Sequence, residues 1–228
     1  LPEFPDVMAE ACRFLSLPNP IVVLSVQSRK QRSVAGGREF AGRLFTSSRA
    51  LVGSIGETHL RNRGIDIQPD FGALRFHPRC FHGTNEDGKP VFWPALVAAV
   101  SDFDGDLTGI SRTYLARNGL AKAPVEPQRR AKGDILGNGI RFGVANDIMA
   151  AGEGIETTLS LRAAMAALPM VAATSSNHLS ALIVPATLRT LLVIRHSDHA
   201  GARATDALFA RAQAARINVV LVGPELDD

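Results

Sequence analysis

Gly152-Glu153-Gly154 sets an acid between two glycines at a point where two kinds of secondary structure meet. The preceding Asn146 to Ala151 is short and mostly apolar, the pattern of a buried strand. The following Ser160 to Leu168 is rich in strong helix formers and is stopped by Pro169. Such a strand-to-helix turn belongs at the carboxyl edge of a sheet, where open α/β sheets bind ligands. A second acidic turn, His196-Ser197-Asp198-His199-Ala200-Gly201, follows the apolar run Thr190 to Arg195 and precedes a helical run from Ala202 to Arg216. With the two strands adjacent, Glu153 and Asp198 face one point above the sheet. Two carboxylates converging on open space suit a hard divalent cation such as magnesium or manganese.

The alternation continues on both sides of these turns. Asn146–Ala151, Val171–Thr174, Thr190–His196 and Ile217–Val222 are predicted strands separated by helices, which gives an α/β unit with parallel strands and crossover helices. Upstream, Pro5–Leu17 reads as an amphipathic helix and Ile21–Leu24 as a short extended segment. Phe40, Leu44 and Phe45 predict a helix between Val34 and Phe45, and Ser54-Ile55-Gly56-Glu57 is a capping box opening a helix to Arg63, closed by Gly64. Strands follow at Leu74–His77, Pro94–Ser101, Leu107–Leu115 and Gly139–Val144, with 116–133 read as a polar connection. The expected division is a mixed α+β region over 1–143 and an α/β unit over 144–228.

The acid-glycine turn and the later Asp198-x-x-Gly201 turn together resemble the two halves of a Toprim domain, found in bacterial primases, topoisomerases and some nucleases. Gly53 to Ile65, Leu74-Arg75-Phe76-His77-Pro78, Pro94 to Val100 and Ile110-Ser111-Arg112-Thr113-Tyr114-Leu115 are similar, in order and spacing, to Toprim primase-like proteins of phages, plasmids and integrated elements. The resemblance covers most of residues 34 to 223. It implies a Toprim-like parallel sheet with flanking helices, and a DNA primase-like nucleotidyltransferase that makes primers on single-stranded DNA from nucleoside triphosphates with Mg2+ or Mn2+, partnered by a replicative helicase. A Toprim nuclease and a degenerate module that binds DNA or a partner are the alternatives. Glu153 becomes a metal ligand or general base, and Asp198 a metal ligand. The family's second turn reads Asp-x-Asp-x-x-Gly, whereas His196 stands here at its first aspartate. Imidazole ligates magnesium poorly but manganese or zinc acceptably, so the metal chemistry is altered, weakened or lost. Glu156, one helical turn past Glu153, reads as an added charge at the site or as a first-turn acid favoured by the helix dipole.

Net charge is only +3, but the cations are unevenly spread. Residues 25–49 hold six Lys or Arg against Glu39, and residues 111–141 hold seven against Glu126 and Asp134. Such stretches suit phosphate backbones. Arg112, Lys122, Lys132, Arg141 and Arg75 are the candidate phosphate-binding residues, arginine by its bidentate fork and lysine as a point charge. Tyr114 is a candidate for base stacking or for plain packing.

Other motifs lead nowhere. Asp102-x-Asp104-x-Asp106 resembles the start of a calcium loop, but its glycine and its twelfth position do not fit. His77, Cys80 and His82 lack a fourth zinc ligand, and no P-loop is present, so helicase activity is not carried here. Cys12 and Cys80 make no disulfide framework, and there is neither a signal peptide nor an apolar run of membrane length, which points to the cytoplasm. The chain begins at Leu1 and stops at Asp227-Asp228, and reads as a fragment whose Toprim-like half is cut short.

Overall fold

The structure, a computed structural model, describes residues 36–67, 71–195 and 199–223. The segments expected at Pro5–Leu17 and Ile21–Leu24 lie outside the described residues.

Helix α1 spans residues 36–47 and carries the predicted Phe40, Leu44 and Phe45 stripe. Helix α2, Ile55–Arg61, opens on the capping box: Ser54 Oγ accepts from the N–H groups of Gly56 (3.1 Å) and Glu57 (3.4 Å), while the Glu57 carboxylate accepts from Gly53 N. Gly64, at φ +72°, follows the helix end.

Strands β1 (Leu74–Thr84), β2 (Pro90–Ser101), β3 (Leu107–Tyr114) and β4 (Arg129–Gly133) form an antiparallel sheet in that order. Strands β1 and β2 are longer than their apolar cores suggest. Strand β4 lies within the stretch expected to be a connection, because Arg-Arg-Ala-Lys-Gly has little strand propensity. Its charges suit an edge, where one side of the ladder stays open. Side chains alternate between faces, and residues paired across strands share a face. One row reads Arg75–Val97–Arg112–Arg130, and the next reads Phe76–Leu96–Thr113–Arg129. Val97 packs in the cluster with α1, and Phe76 and Leu96 in the cluster shared with the second sheet.

That second sheet has the order β5-β7-β6-β8-β9, made of β5 (Ile140–Phe142), β6 (Ile148–Gly152), β7 (Met170–Ala172), β8 (Thr190–Ile194) and β9 (Asn218–Val222). Strands β6 to β9 are parallel and β5 is antiparallel to β7. Helices α3 (Ile155–Ala164), α4 (Ser176–Ser180) and α5 (His199–Ala214) are the crossovers. One face buries Ala150, Ala172 and Leu192 against the first sheet, α2 and α3. The other buries Met149, Val171 and Val193 with Leu208 and Ala212 of α5. Ser101 and Gly139 exchange backbone hydrogen bonds (3.0 and 3.3 Å), tying β2 to the lead-in of β5.

Candidate active site at the carboxyl edge of the parallel sheet

Glu153 follows β6 directly, so it stands at the carboxyl edge of the parallel strands. The turn is tight for a steric reason: a Cβ on Gly152 would lie 2.6 Å from Thr158 Oγ1 and 3.0 Å from Ile194 Cδ1. Glycine here lets the first turn of α3 close over the strand, and Thr158 Oγ1 then donates to Gly154 O at 2.8 Å. The ladder with β7 extends past the strand end. Ala173 N donates to Gly152 O (2.9 Å) and Thr174 N to Glu153 O (2.8 Å), so the backbone of the acidic turn is held while its carboxylate remains partly exposed.

Thr174 makes this contact at φ +78°, a left-handed conformation that is strained for a β-branched residue. All its polar atoms are engaged. Its carbonyl accepts from Arg129 Nη1 (3.2 Å), and its hydroxyl pairs with His178 Nδ1 (2.8 Å). Burial holds the His178 imidazole below its ordinary pKa.

Arg129 comes from β4, on the sheet face that meets the second sheet. Its guanidinium is 3.6 Å from the Glu156 carboxylate, with the two side chains 28% and 18% exposed. Burial pushes the Glu156 pKa up, but the group's own backbone N–H and the charges of Arg129, Lys122 and Arg63 outweigh it, and the carboxyl lies below its usual range. Lys122 follows the turn over residues 116–121, which is closed by Ala116 N to Ala121 O (2.9 Å) and the Leu115–Lys122 bridge. Gly119 presses that turn onto α2 at φ +76°, where a Cβ would come within 2.9 Å of Ile55 Cγ2. His59 of α2 is fully buried with Nδ1 3.3 Å from Gly119 O, and burial and then Arg63 lower its pKa. Glu156, in the first turn of α3, thus faces cations from the chain just past α2 (Arg63), the end of the 116–121 turn (Lys122) and β4 (Arg129).

Residues 148–228 match the family model described as Toprim domain, and residues 35–142 match one described as Domain of unknown function (DUF7146). A DNA primase domain from Pseudomonas aeruginosa shares the fold at TM-score 0.55 and 14% identity, over 83% of this chain and 72% of that one. The RNA polymerase domain of Mycobacterium tuberculosis primase DnaG does so at TM-score 0.50 and 16% identity, over 86% and 77%. This chain carries a Toprim domain in a primase-like fold. No curated protein matches it in sequence.

Glu153 lies within the residues that match the Toprim domain model. Strand β8 runs parallel to β6 and beside it, so the chain leaves β8 at Arg195 on the same edge. His196 and Asp198 lie outside the described residues. Among the described residues no three His, Cys, Asp or Glu side chains converge, and Glu156 is ion-paired. The carboxylate oxygens of Glu153 are the donors there that fit a hard cation.

Of the candidate phosphate binders, the structure brings only Lys122 to the Toprim edge. Arg75, Arg112 and Lys132 lie on the α1 side of the first sheet. Arg75 donates to Phe45 O (3.0 Å) and stacks on the Phe45 ring, while Arg112 and Lys132 flank the Phe40 ring at 5.4 and 4.6 Å. Arg141 of β5 donates to Ser101 O (3.3 Å) and stacks on Phe103 at 4.0 Å, and burial, opposed by Asp102, holds its pKa near about 10. Arg129, Arg63 and His59 were not singled out from sequence. For Arg129 the missing signal was strand parity: once 129–133 is a strand paired with β3, Arg129 and Arg130 fall on opposite faces.

The other motifs are local. Asp102 Oδ1 accepts from the N–H groups of Asp104 and Asp106, a turn cap. Cys80 is buried beside Arg112, with burial raising its pKa against the pull of that guanidinium. His82 packs edge-on against Tyr114. Among the described residues no helix is long and apolar enough to cross a membrane.

Proposed function

We propose that this chain catalyses metal-dependent nucleotidyl transfer on single-stranded DNA, as primer synthesis. The observation that supports this most is the pairing of a Toprim acidic turn with the facing cations Arg129, Lys122 and Arg63, whose fields hold Glu156 ionised. A triphosphate needs such a wall and a carboxylate edge in one place. Arg129 and Lys122 orient the triphosphate, and the strained Thr174 turn fixes the Arg129 fork relative to Glu153. Glu153, with Asp198 and His196 of the second acidic turn, would hold Mg2+ or Mn2+, which neutralises phosphate charge when bound. In the transfer, the strand's 3′-hydroxyl oxygen bonds to the α-phosphorus, the α–β phosphoanhydride breaks and pyrophosphate leaves. The hydroxyl proton passes to the Glu153 carboxylate or to water. In this reading residues 144–228 carry the metal site, residues 1–143 supply Arg129 and Lys122 and guide the template, and a replicative helicase delivers it.

The test is incubation with end-labelled single-stranded DNA and ribonucleotides, in manganese and then magnesium, with Glu153→Ala alongside. Extended products absent from the variant support the proposal. Shortened products assign the site to a nuclease. Unchanged DNA that is still bound without metal leaves a degenerate binding module.

A further inference from the structure

The face of the first sheet turned away from the Toprim edge carries a second group of cations, and none of the described residues neutralises it. Arg112 of β3 and Arg130 of β4 stand directly opposite each other in the ladder and share that face, with Lys132 next along it on β4. Arg112 is 8% exposed, Arg130 is half-buried and Lys132 is exposed. Like charges set directly opposite in a sheet repel, and a guanidinium out of water is costly unless an anion meets it. Among the described residues none of the three is in an ion pair. Glu39 of α1 is taken by Arg43, and Asp134, just past β4, by Arg38. The Nε atoms of Arg112 and Arg130 are both buried without a hydrogen-bond acceptor.

The neighbouring groups do not supply the missing charge. Burial raises the pKa of both Cys80 and Tyr114 against the pull of the Arg112 guanidinium, so both stay protonated at neutral pH. Tyr114 donates its hydroxyl proton to Phe81 O at 2.8 Å. Phe40 offers its ring to Arg112 (5.4 Å) and Lys132 (4.6 Å), which softens the repulsion without balancing the charge. Strand β4 is the edge of the sheet, so the cations are reached from the side where no further strand pairs.

We infer that Arg112, Arg130 and Lys132 form a second phosphate-binding site, in which a phosphate group accepts from the two guanidinia and the ammonium. Guanidinium forks match phosphate oxygens, and the bound charge cancels the repulsion that the bare ladder leaves. A free phosphate and a nucleic-acid backbone present the same chemistry. The site does not depend on the catalytic reading of the Toprim edge, but it shares β4 with that edge: Arg129 and Arg130 are adjacent and fall on opposite faces. An anion bound here holds the strand that places Arg129 beside Glu156.

The test is thermal unfolding of the full chain, wild type against Arg130→Gln and Lys132→Gln, in chloride and in phosphate at matched ionic strength. In chloride Arg130→Gln is expected to melt at or above the wild-type temperature, because it removes the like charge opposite Arg112. Phosphate should raise the wild-type Tm clearly more than that of either variant and so reverse the order. Phosphate taken up at the Toprim edge shifts all three proteins alike, so the difference reads this site. Labelled oligothymidylate then identifies the source. A backbone ligand binds each variant about 3- to 10-fold more weakly, with a salt slope smaller by about 0.7 for each lost contact. Unchanged oligothymidylate affinity beside a variant-sensitive phosphate shift assigns the site to a free phosphate. Equal phosphate shifts in wild type and both variants, together with equal oligothymidylate affinity, overturn the inference and leave the arginines as packing members of the sheet.

Discussion

Replacing Arg129 with alanine removes two contacts that can be weighed separately. At 3.6 Å and an effective dielectric constant of about 20, the guanidinium and the Glu156 carboxylate attract by about 4–5 kcal/mol before desolvation. Both groups are largely out of water, and their desolvation cancels most of that, leaving a coupling of about 1 kcal/mol. The charged hydrogen bond to Thr174 O contributes about 1.5–2 kcal/mol more. The variant should therefore lose about 2–3 kcal/mol, lowering Tm by about 4–12 °C.

The assay is thermal unfolding of wild type, Arg129→Ala, Glu156→Gln and the double variant, at neutral pH and in acid. The folded-state pKa of Glu156 is depressed, so its contribution is fully present above the unfolded value and is lost as pH falls through the folded one. The coupling from the cycle should accordingly be about 1 kcal/mol at neutral pH and vanish in acid, while the loss through Thr174 O persists. A neutral-pH coupling below about 0.3 kcal/mol, or one that survives in acid, refutes the electrostatic account of this wall.

Two further outcomes follow from the same packing. Gly152→Ala should cost about 1–3 kcal/mol in urea unfolding, and adding Thr158→Ala should recover part of it, because the introduced Cβ meets Thr158 Oγ1 first. His59 is buried with its pKa lowered, so between its unfolded value of about 6.5 and its folded value the unfolded chain takes up a proton that the folded one refuses. Stability should fall as pH drops through that window, and His59→Gln should flatten the slope of Tm against pH there.

The Toprim edge was readable from sequence because its determinants are local: an apolar run, a turn needing small residues, then helix formers. The wall facing it was not, because each of its members is placed by pairing. Arg112 and Arg129 carry the same charge in the same basic stretch, and only the register Thr113↔Arg129 and Arg112↔Arg130 sends one to the Toprim face and the other under α1. A shift of one residue in β4 would exchange Arg129 for Arg130 at the site without changing composition or local motif. Glu156 shows the same dependence: as a first-turn acid it needs no explanation beyond the helix dipole, until β4 brings Arg129 beside it. The short, polar β4 is thus the element on which the site depends most, and it is the one that strand propensity marks least. Its register is held where Gly109 faces Gly133: a Cβ on Gly133 would come within 2.5 Å of Thr108 O and 2.6 Å of Gly109 Cα, so the two backbones approach closely only as a glycine pair. The sequence determinant of the cationic wall therefore lies in two glycines that carry no charge at all.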